Sequence, residues 1–225
     1  MTFSISARCA RTGMFGIAVS SSSPCVAARC AHARAGVGVV ATQNITDPML
    51  GPRGLDLLAE GLSADEVMAR FADEAPHFDY RQVVVLDQLG RSAGHSGGKT
   101  LGVYGISRAP DVAAAGNLLA SPDVPARMVA AFLARPDEHL GARIIAAMQA
   151  ALAAGGEEGP VHSAGMLLVD TVGWPVADLR IDWSDADPIG ELGALWRLWQ
   201  PQMDAYVTRA LDPSSAPSYG VPGDT

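Results

Sequence analysis

The first 23 residues, MTFSISARCARTGMFGIAVSSSS (1–23), decide how the rest of the chain is interpreted. In FSISARC (3–9), apolar and polar side chains alternate, which is the period of a β-strand with one buried face. ARTG (10–13) supplies turn residues, and MFGIAVSSSS (14–23) continues as a second strand. The chain therefore opens on two strands, and Thr2 lies at the start of the first.

Blocks of helices and strands follow this opening. AGVGVVATQ (35–43) predicts a third strand that is covered on both faces. The next residues predict a helix over 52–60 and a second helix that starts at a capping box of Ser63 and Glu66. Further on, the sequence predicts a hairpin in 81–97, extended or loop segments at 101–107 and 111–120, strands at 162–170 and 175–182, and helices that begin at Ser121-Pro122, Pro136 and Asp187-Pro188.

Two of the later helices carry apolar stripes. The helix from Pro136 has apolar residues at every fourth position: Leu140, Ile144, Met148 and Leu152. The final helix carries Trp196 and Trp199, and Pro201 is expected to kink it. The aromatic stripe is interpreted as core or as a subunit face, and in the second case the chain forms a homo-oligomer, a dimer.

The order of these blocks predicts an α+β fold. Two strand blocks and two helix blocks can be stacked as sheets packed face to face with helices outside. The length favours a single domain, which we expect over 1–211. The remaining residues, DPSSAPSYGVPGDT (212–225), have the Pro, Ser and Gly content of a flexible tail.

The composition excludes several classes of protein. Of 225 residues, 48% are hydrophobic and 18% charged, as in compact globular proteins. The net charge of −8, with Lys99 as the one lysine, argues against binding to nucleic acid. No apolar run reaches the roughly 18 residues of a membrane span and no signal pattern opens the chain, so we expect a cytoplasmic protein without membrane contact. Cys9, Cys25 and Cys30 lack C-x-x-C spacing, so we expect buried, reduced thiols and no metal site.

Thr2 is the first candidate for a reacting residue. If Met1 is removed, Thr2 carries both a hydroxyl and a free α-amine. The amine, with an ordinary pKa of about 7.7–8.0, can act as the base for that hydroxyl. Methionine aminopeptidases favour a small second residue, so the removal is chemically reasonable. The alternative is that Thr2 is an ordinary strand residue.

Other polar groups stand at the predicted strand ends. The hydroxyls of SSSS (20–23) can bind an amine or a substrate, or form a polar turn. Arg34 could keep a nearby amine neutral by charge repulsion. Backbone and amide donors in TQN (42–44) could hold a developing oxyanion.

Three further motifs have weaker or different interpretations. His95 and Ser96 either line a pocket or cap a turn. His162, Ser163 and the two aspartates that follow at 182 and 185 do not have metal-ligand spacing. GHSGGKT (94–100) is not a phosphate-binding P-loop, because one residue is missing between its glycines.

Several segments resemble a known family. The quoted opening, together with RAGVGVVATQ, GPRGLDLLAEGLSADE, RQVVVLDQLGRSAGHSG, GNLLA and LRIDWSDADPIGELGALWRL, is similar in order, over about residues 2–200, to the DUF1028 family of bacterial proteins. That family in turn resembles the N-terminal nucleophile (Ntn) hydrolases. The resemblance implies a four-layer αββα sandwich, in agreement with the block order.

The family motifs fall on particular residues of this chain. T-x-S-I begins at Thr2, A-T-Q ends at Gln43, H-[TS]-G covers His95 and Ser96, and G-N-x-L contains Asn117. The resemblance implies that the N-terminal residue attacks, that a polar group near the end of the second strand assists its amine, and that donors near the first helix hold the oxyanion.

The resemblance also implies which residues fill these roles. Ser20 or Ser21 lies where proteasome-like members have an aspartate, and Arg34 where they have a lysine. The residues expected to bind the oxyanion or substrate are Thr42, Gln43, Asn44, His95, Ser96, Asn117 and His162. GGEEGPVHS (155–163) departs from the family pattern G-G-D-x-R-G-x-Q-S, so we expect a different substrate pocket there.

The sequence therefore predicts an amidohydrolase that cleaves a small amide or related C–N bond through Thr2, without a cofactor or metal. Two alternatives remain. One is a non-catalytic protein of the same fold that binds a small molecule or a cell-wall fragment. The other is a structural oligomer that assembles through Trp196 and Trp199.

Overall fold

The computed structural model describes residues 1–221. Its strands are β1 (Thr2–Arg8), β2 (Phe15–Ser21), β3 (Ala31–Arg34), β4 (Gly38–Asn44), β5 (Arg81–Asp87), β6 (Ser92–Ser96), β7 (Gly105–Ala109), β8 (Val112–Asn117), β9 (Ser163–Val169) and β10 (Ala177–Ile181). Its helices are α1 (Ala27–Cys30), α2 (Leu50–Ala59), α3 (Ala64–Glu74), α4 (Val124–Leu133), α5 (Leu140–Ala153), α6 (Pro188–Trp199) and α7 (Met203–Leu211), with 3-10 turns at Phe78–Tyr80 and Gln200–Gln202. Residues 222–225, the end of the predicted tail, lie outside the described residues.

The strands form two antiparallel sheets. One has six strands in the order β10-β9-β2-β1-β8-β7, and the other has four in the order β3-β4-β5-β6. The opening strand β1 pairs with β2 and β8, which places Phe3 opposite Ser20 and Thr2 opposite Asn117. The predicted α+β class is confirmed, and the arrangement is consistent with a sandwich.

Four apolar clusters lie among the described residues, and the three larger ones hold the sheets and helices together. The largest joins α4, α5 and α6 to the six-stranded sheet and includes Phe3 and Ile5 of β1. A second joins α2 and α3 to the four-stranded sheet. The third takes side chains from both sheets, including Ile17, Val39 and Ala115. Because strand side chains alternate, Thr2 faces away from Phe3, on the side where the two sheets meet.

Some predicted boundaries were wrong. The short helix α1 and strand β3 were not predicted. Helix α5 begins at Leu140, four residues after Pro136, because the His139 side chain accepts a hydrogen bond from the Gly141 N–H and caps the helix there. Leu152 was predicted in its buried stripe but is 36% exposed, and Ala151 is buried instead.

The end of the last helix is broken rather than only kinked. The 3-10 turn that contains Pro201 separates α6 from α7. Trp196 is buried against α5, and Trp199 Nε1 donates to the Val176 carbonyl at 3.0 Å. Tyr219 lies beyond α7, and its ring centre is 3.7 Å from the guanidinium of Arg209, a residue of α7.

The structure bears on two expectations from the sequence, the burial of the three cysteines and the lack of a membrane-spanning segment. Cys9 and Cys30 are buried free thiols, but Cys25 is exposed, contrary to the expectation that all three are buried. It lies in the turn after β2 with a left-handed backbone, φ +53°. Within residues 1–221, no helix is both long and apolar enough to cross a membrane.

Candidate functional site

Thr2 is held at the first position of a central strand. Its side chain is 6% exposed. Thr2 Oγ1 donates to the Met1 carbonyl oxygen and lies 3.4 Å from Ser21 Oγ. Ser21 Oγ also donates to the Met1 carbonyl, at 2.5 Å, and accepts from the Ser23 N–H at 3.1 Å. Two hydroxyls therefore surround the peptide group that would be cut to free Thr2.

Ser20 and Ser21 were equal candidates in the sequence, and the strand register separates them. Phe3 pairs with Ser20, so Ser20 lies on the helix-covered face of the sheet with Phe3. Its hydroxyl donates to the Ser163 carbonyl at 2.9 Å. Ser21 lies on the opposite face and contacts Thr2. The structure brings Ser21, but not Ser20, to the candidate nucleophile.

A buried carboxylate, Glu157, lies close to the same turn. It belongs to the loop between α5 and β9 and is 5% exposed. Glu157 Oε2 accepts from the Ser22 N–H at 3.2 Å, whereas Oε1 has no hydrogen-bond partner among the described residues. Burial raises the pKa of the Glu157 carboxyl from 4.5 to about 7, although the charge of the Met1 α-ammonium lowers it. This carboxyl can therefore change charge near neutral pH.

Buried amides join the two sheets beside Thr2, with Gln82 at their centre. Gln82 Oε1 accepts from Gln43 Nε2 at 2.7 Å and from Asn117 Nδ2 at 3.1 Å. Gln82 Nε2 donates to Ser96 Oγ and to the Gly116 carbonyl, each at 2.9 Å. In the described part of the chain, Gln43 Oε1 and Asn117 Oδ1 have no donor. Asn117 is opposite Thr2, so an unpaired acceptor lies beside the candidate nucleophile.

A cavity of about 320 Å³ has Glu157 in its wall. Its wall consists of Leu152, Gly155, Glu157, Gly159, Pro160, Val161, Ala186, Asp187 and Pro188. The Met1 side chain borders this loop, since a Cβ on Gly159 would lie 3.4 Å from Met1 Cε. Thr2 does not line the cavity while Met1 is in place. No group of three or more His, Cys, Asp or Glu side chains within residues 1–221 is arranged to hold a metal ion.

Comparison with known proteins identifies the family. The model of a family described as "Family of unknown function (DUF1028)" matches residues 2–192. The chain belongs to the DUF1028 family. A crystal structure of a DUF1028 protein from Silicibacter pomeroyi has a TM-score of 0.81 and 29% identity, covering 87% of this chain and 88% of that chain. No curated protein matches this chain.

A more distant structural neighbour has a much lower similarity. Anbu (ancestral beta-subunit) from Yersinia bercovieri has a TM-score of 0.40 and 11% identity, over 91% of this chain and 96% of that chain. The family model and the Silicibacter pomeroyi structure confirm the resemblance to DUF1028 that the motifs indicated. Its extension to Ntn hydrolases stays a prediction.

Several DUF1028 motif residues do not face Thr2. Thr42 lies between Ala41 and Gln43 and points to the other face of β4, where its Oγ1 donates to the Asp47 carbonyl at 3.1 Å. His95 likewise points away from Ser96's face and stacks on Phe78, with ring centres 4.0 Å apart. Strand alternation therefore brings Gln43 and Ser96 to the side chain of Gln82 and directs their neighbours Thr42 and His95 to the opposite face.

Asn44 and His162 lie near the edge of the site. Asn44 has a left-handed backbone, φ +74°, and its side chain donates to the Tyr80 carbonyl at 2.6 Å and accepts from the Leu101 N–H at 3.2 Å. The His162 N–H donates to the Ser21 carbonyl at 2.9 Å, but its ring stacks on Trp183. His162 therefore supports the backbone of Ser21 rather than presenting its ring to Thr2.

Arg34 was expected near the amine of Thr2, and the structure does not bring it there. Arg34 pairs with Asp56 of α2 at 2.7 Å. It lines a cavity with Val169, the last residue of β9, whereas Ser163 at the other end of β9 pairs with Ser21. Six residues of strand span about 20 Å, so Arg34 lies near the end of β9 that is remote from Ser21 and Thr2. Arg34 and β1 are far apart in the sequence, so no local pattern showed that they are also far apart in the structure.

Glu157 and Gln82 were not assigned a role from the sequence. Glu157 lies in GGEEGPVHS (155–163), the segment that departs from the expected family pattern. The preceding Gly155 and Gly156 have left-handed backbones, φ +106° and +59°, which let the chain leave α5 and turn Glu157 inward. For Glu157, the signal available in the sequence was the pair of glycines before it. For Gln82, it was the position of a polar residue inside the apolar run RQVVVLD.

Proposed function

We propose that this DUF1028 protein is an amidohydrolase with an Ntn-type αββα sandwich, in which Thr2 becomes the nucleophile once Met1 is removed. The observation that carries the proposal is the position of Thr2: it is the first residue of a central strand, with its hydroxyl 3.4 Å from that of Ser21. A strand flanked on both sides fixes the hydroxyl and the future α-amine relative to each other. Such fixed geometry is what nucleophilic catalysis requires.

The reaction follows from these two groups. The α-amine of Thr2 takes the hydroxyl proton while Oγ1 attacks the carbonyl carbon of the amide. The tetrahedral intermediate collapses as the amine leaving group takes that proton, which leaves an ester on Thr2. A water molecule then gives a proton to the α-amine and attacks the ester. The carboxylic acid is released, and the Thr2 hydroxyl is restored.

The neighbouring groups have separate tasks in this proposal. Ser21 is a hydrogen-bonding partner for the Thr2 hydroxyl. Asn117 Oδ1, which lacks a donor in the described residues, can accept from the new α-amine and orient its lone pair. Glu157 supplies a negative charge at the mouth of the site above about pH 7.

The test combines mass analysis with labelling. We expect purified protein to begin at Thr2 and to form a covalent adduct at Thr2 with a β-lactone electrophile. Thr2→Ala is the matched control, because alanine is also small enough for Met1 to be removed, yet it has no hydroxyl. Its labelling should be lost, while Thr2→Ser should still react. Complete retention of Met1, or equal labelling of Thr2→Ala, would refute the proposal.

A second candidate function is ligand binding without catalysis. It is favoured by the low exposure of Thr2, 6%, and by its absence from the wall of the Glu157 cavity. In this case the protein would bind a small molecule at the cavity and keep Met1. Saturable ligand binding by protein that retains Met1 and resists the electrophile would support this candidate over the hydrolase.

A further inference from the structure

Met1 shows what kind of acyl group fits beside Thr2. Its carbonyl oxygen accepts hydrogen bonds from the hydroxyls of Thr2 and Ser21, the latter at 2.5 Å. Its side chain reaches the loop between α5 and β9, where a Cβ on Gly159 would lie 3.4 Å from Met1 Cε and 3.8 Å from Sδ. Met1 is joined to Thr2 by the peptide bond, and its side chain shows that the space beside this loop accommodates an aminoacyl group of that size.

The Met1 α-ammonium acts on the Glu157 carboxyl through its charge, although the two groups form no ion pair. Its charge lowers the pKa of the Glu157 carboxyl, against the larger effect of burial, which raises it to about 7. The Glu157 carboxyl lacks a hydrogen bond on one side, because its Oε1 has no partner among the described residues. A carboxylate that is 5% exposed is costly unless a cation reaches it. Glu157 is thus a preformed acceptor for an ammonium group.

The adjacent cavity has the same charge preference. The described residues that form its wall include two carboxylates, Glu157 and Asp187, and no Lys, Arg or His. Asp187 is exposed and its Oδ1 accepts from the Gly190 N–H at 2.8 Å, whereas Glu157 Oε1 is buried and has no partner among the described residues. A volume of about 320 Å³ is at the lower end for ligand sites and suits a small group rather than a long peptide.

We infer that the substrate is an amide whose acyl part carries a free α-amino group, and that the Glu157 carboxylate binds this group as an ammonium ion. The inference rests on the proposed function, because it places the amide carbonyl at Thr2. Removal of Met1 vacates space beside the two hydroxyls, and the aminoacyl part of the substrate enters it with its ammonium group in contact with Glu157 Oε1, a contact that the Met1 ammonium does not make. An N-acylated amide leaves the Glu157 oxygen unpaired, and an acidic acyl group is repelled by it.

The kinetic test uses a matched pair of substrates at pH 7, methionine p-nitroanilide and its N-acetyl derivative. For protein that begins at Thr2, we expect kcat/KM for the free amine to be higher by about tenfold or more, mainly through a lower KM. In Glu157→Gln the two substrates should become nearly equal. Glu158→Gln is the control, because Glu158 is exposed and should leave the preference unchanged.

Three results would overturn the inference. The first is equal or faster hydrolysis of the N-acetyl substrate by the unmodified protein. The second is a Glu157→Gln variant that keeps the preference for the free amine. The third is a Glu157→Gln variant that shifts the pH profile of both substrates alike without changing their ratio, because Glu157 would then act on the α-amine of Thr2.

A binding measurement separates this inference from the proposed function. Thr2→Ala protein without Met1 cannot form an acyl-enzyme, so titration calorimetry with methioninamide and N-acetylmethioninamide measures recognition alone. Binding of methioninamide that is about tenfold tighter, and that is lost on adding Glu157→Gln, supports the inference even if the unmodified protein hydrolyses neither substrate. Equal affinities, or no binding of either amide, overturn it even if the unmodified protein hydrolyses other amides.

Discussion

Two buried carboxylates in this fold have very different surroundings. Asp87, at the end of β5, is 2% exposed and accepts four hydrogen bonds. Its Oδ1 accepts from the N–H groups of Leu89 and Arg91 at 2.9 and 3.1 Å, and its Oδ2 accepts from Arg91 Nε and the Ala64 N–H at 2.8 and 3.3 Å. Glu157 is 5% exposed, but it accepts one bond, from the Ser22 N–H, and has one oxygen without a partner in the described residues.

The difference separates a carboxylate that builds the fold from one that is available to a ligand. Asp87 closes the turn between β5 and β6 and attaches the first residue of α3 to it, so its full set of donors stabilises the ionised form. Glu157 stabilises little and is costly when charged. Groups buried at such a cost are concentrated at functional sites, because a bound partner can complete their hydrogen bonds.

The largest effect on stability is expected at Asp87. In Asp87→Asn, the new amide N–H₂ group faces donors where an oxygen accepted before, and the Arg91 guanidinium loses its ion pair. We expect the free energy of unfolding to fall by about 4 kcal/mol, because two of the four donors lose a buried acceptor at about 1–3 kcal/mol each, whereas the ion pair with the exposed Arg91 adds little. Urea unfolding followed by circular dichroism measures this change.

Asp73→Asn is the control for this substitution, since Asp73 is exposed on α3 and should change the free energy of unfolding by less than about 0.5 kcal/mol. If Asp87→Asn and Asp73→Asn lowered the free energy of unfolding equally, the four donors to Asp87 would not stabilise the fold. The number of donors would then not distinguish Asp87 from Glu157.

Glu157→Gln is expected to raise the free energy of unfolding, whereas Asp87→Asn lowers it. The pKa of Glu157 is raised from 4.5 to about 7 by burial, so the folded state binds its proton more tightly than the unfolded state does. The stability of the unmodified protein should therefore fall as pH rises from about 4.5 to 7. The shift corresponds to roughly 3 kcal/mol as an upper limit. Glu157→Gln, which has no charge to bury, should be more stable by up to that amount at pH 8 and equally stable at pH 4.

Thermal or urea unfolding at pH 4, 6 and 8 checks this difference, with Glu158→Gln as the exposed neighbour whose effect should not vary with pH in this way. A Glu157→Gln variant that is less stable at pH 8 would show that the glutamate stabilises the fold as Asp87 does. The argument for a ligand at Glu157 would then fail.

The sequence predicted the parts of the site that depend on local patterns. The alternation in FSISARC and the apolar run before SSSS placed Thr2 and the two serines at strand ends, and the structure has strands there. The same alternation assigns successive residues to opposite faces of a sheet. Combined with the pairing registers of β1 and β4, it separates Ser21 from Ser20 and Gln43 from Thr42.

The rest depended on contacts between distant segments. Glu157 reaches Ser22 across a long stretch of sequence, and Gln82 joins β4, β6 and β8. No local period reports such contacts. Arg34 was misplaced for the same reason, since β3 belongs to the four-stranded sheet rather than to the sheet of β1.

The smallest expected effect on stability gives the sharpest test of the site, because Ser20 and Ser21 are adjacent and face opposite ways. Each hydroxyl is buried and makes a hydrogen bond, Ser20 to the Ser163 carbonyl and Ser21 within the Thr2 cluster. Replacing either with alanine should lower the free energy of unfolding by about 1 kcal/mol. Ser21→Ala should also slow hydrolysis by about tenfold through kcat, because the Thr2 hydroxyl loses its neighbour, whereas Ser20→Ala should keep the unmodified rate. Steady-state kinetics on protein shown by mass to begin at Thr2 measures both. Equal losses of rate in the two variants would mean that Ser21 acts only through stability, and the face of β1 that carries Thr2 would then have no special role in the reaction.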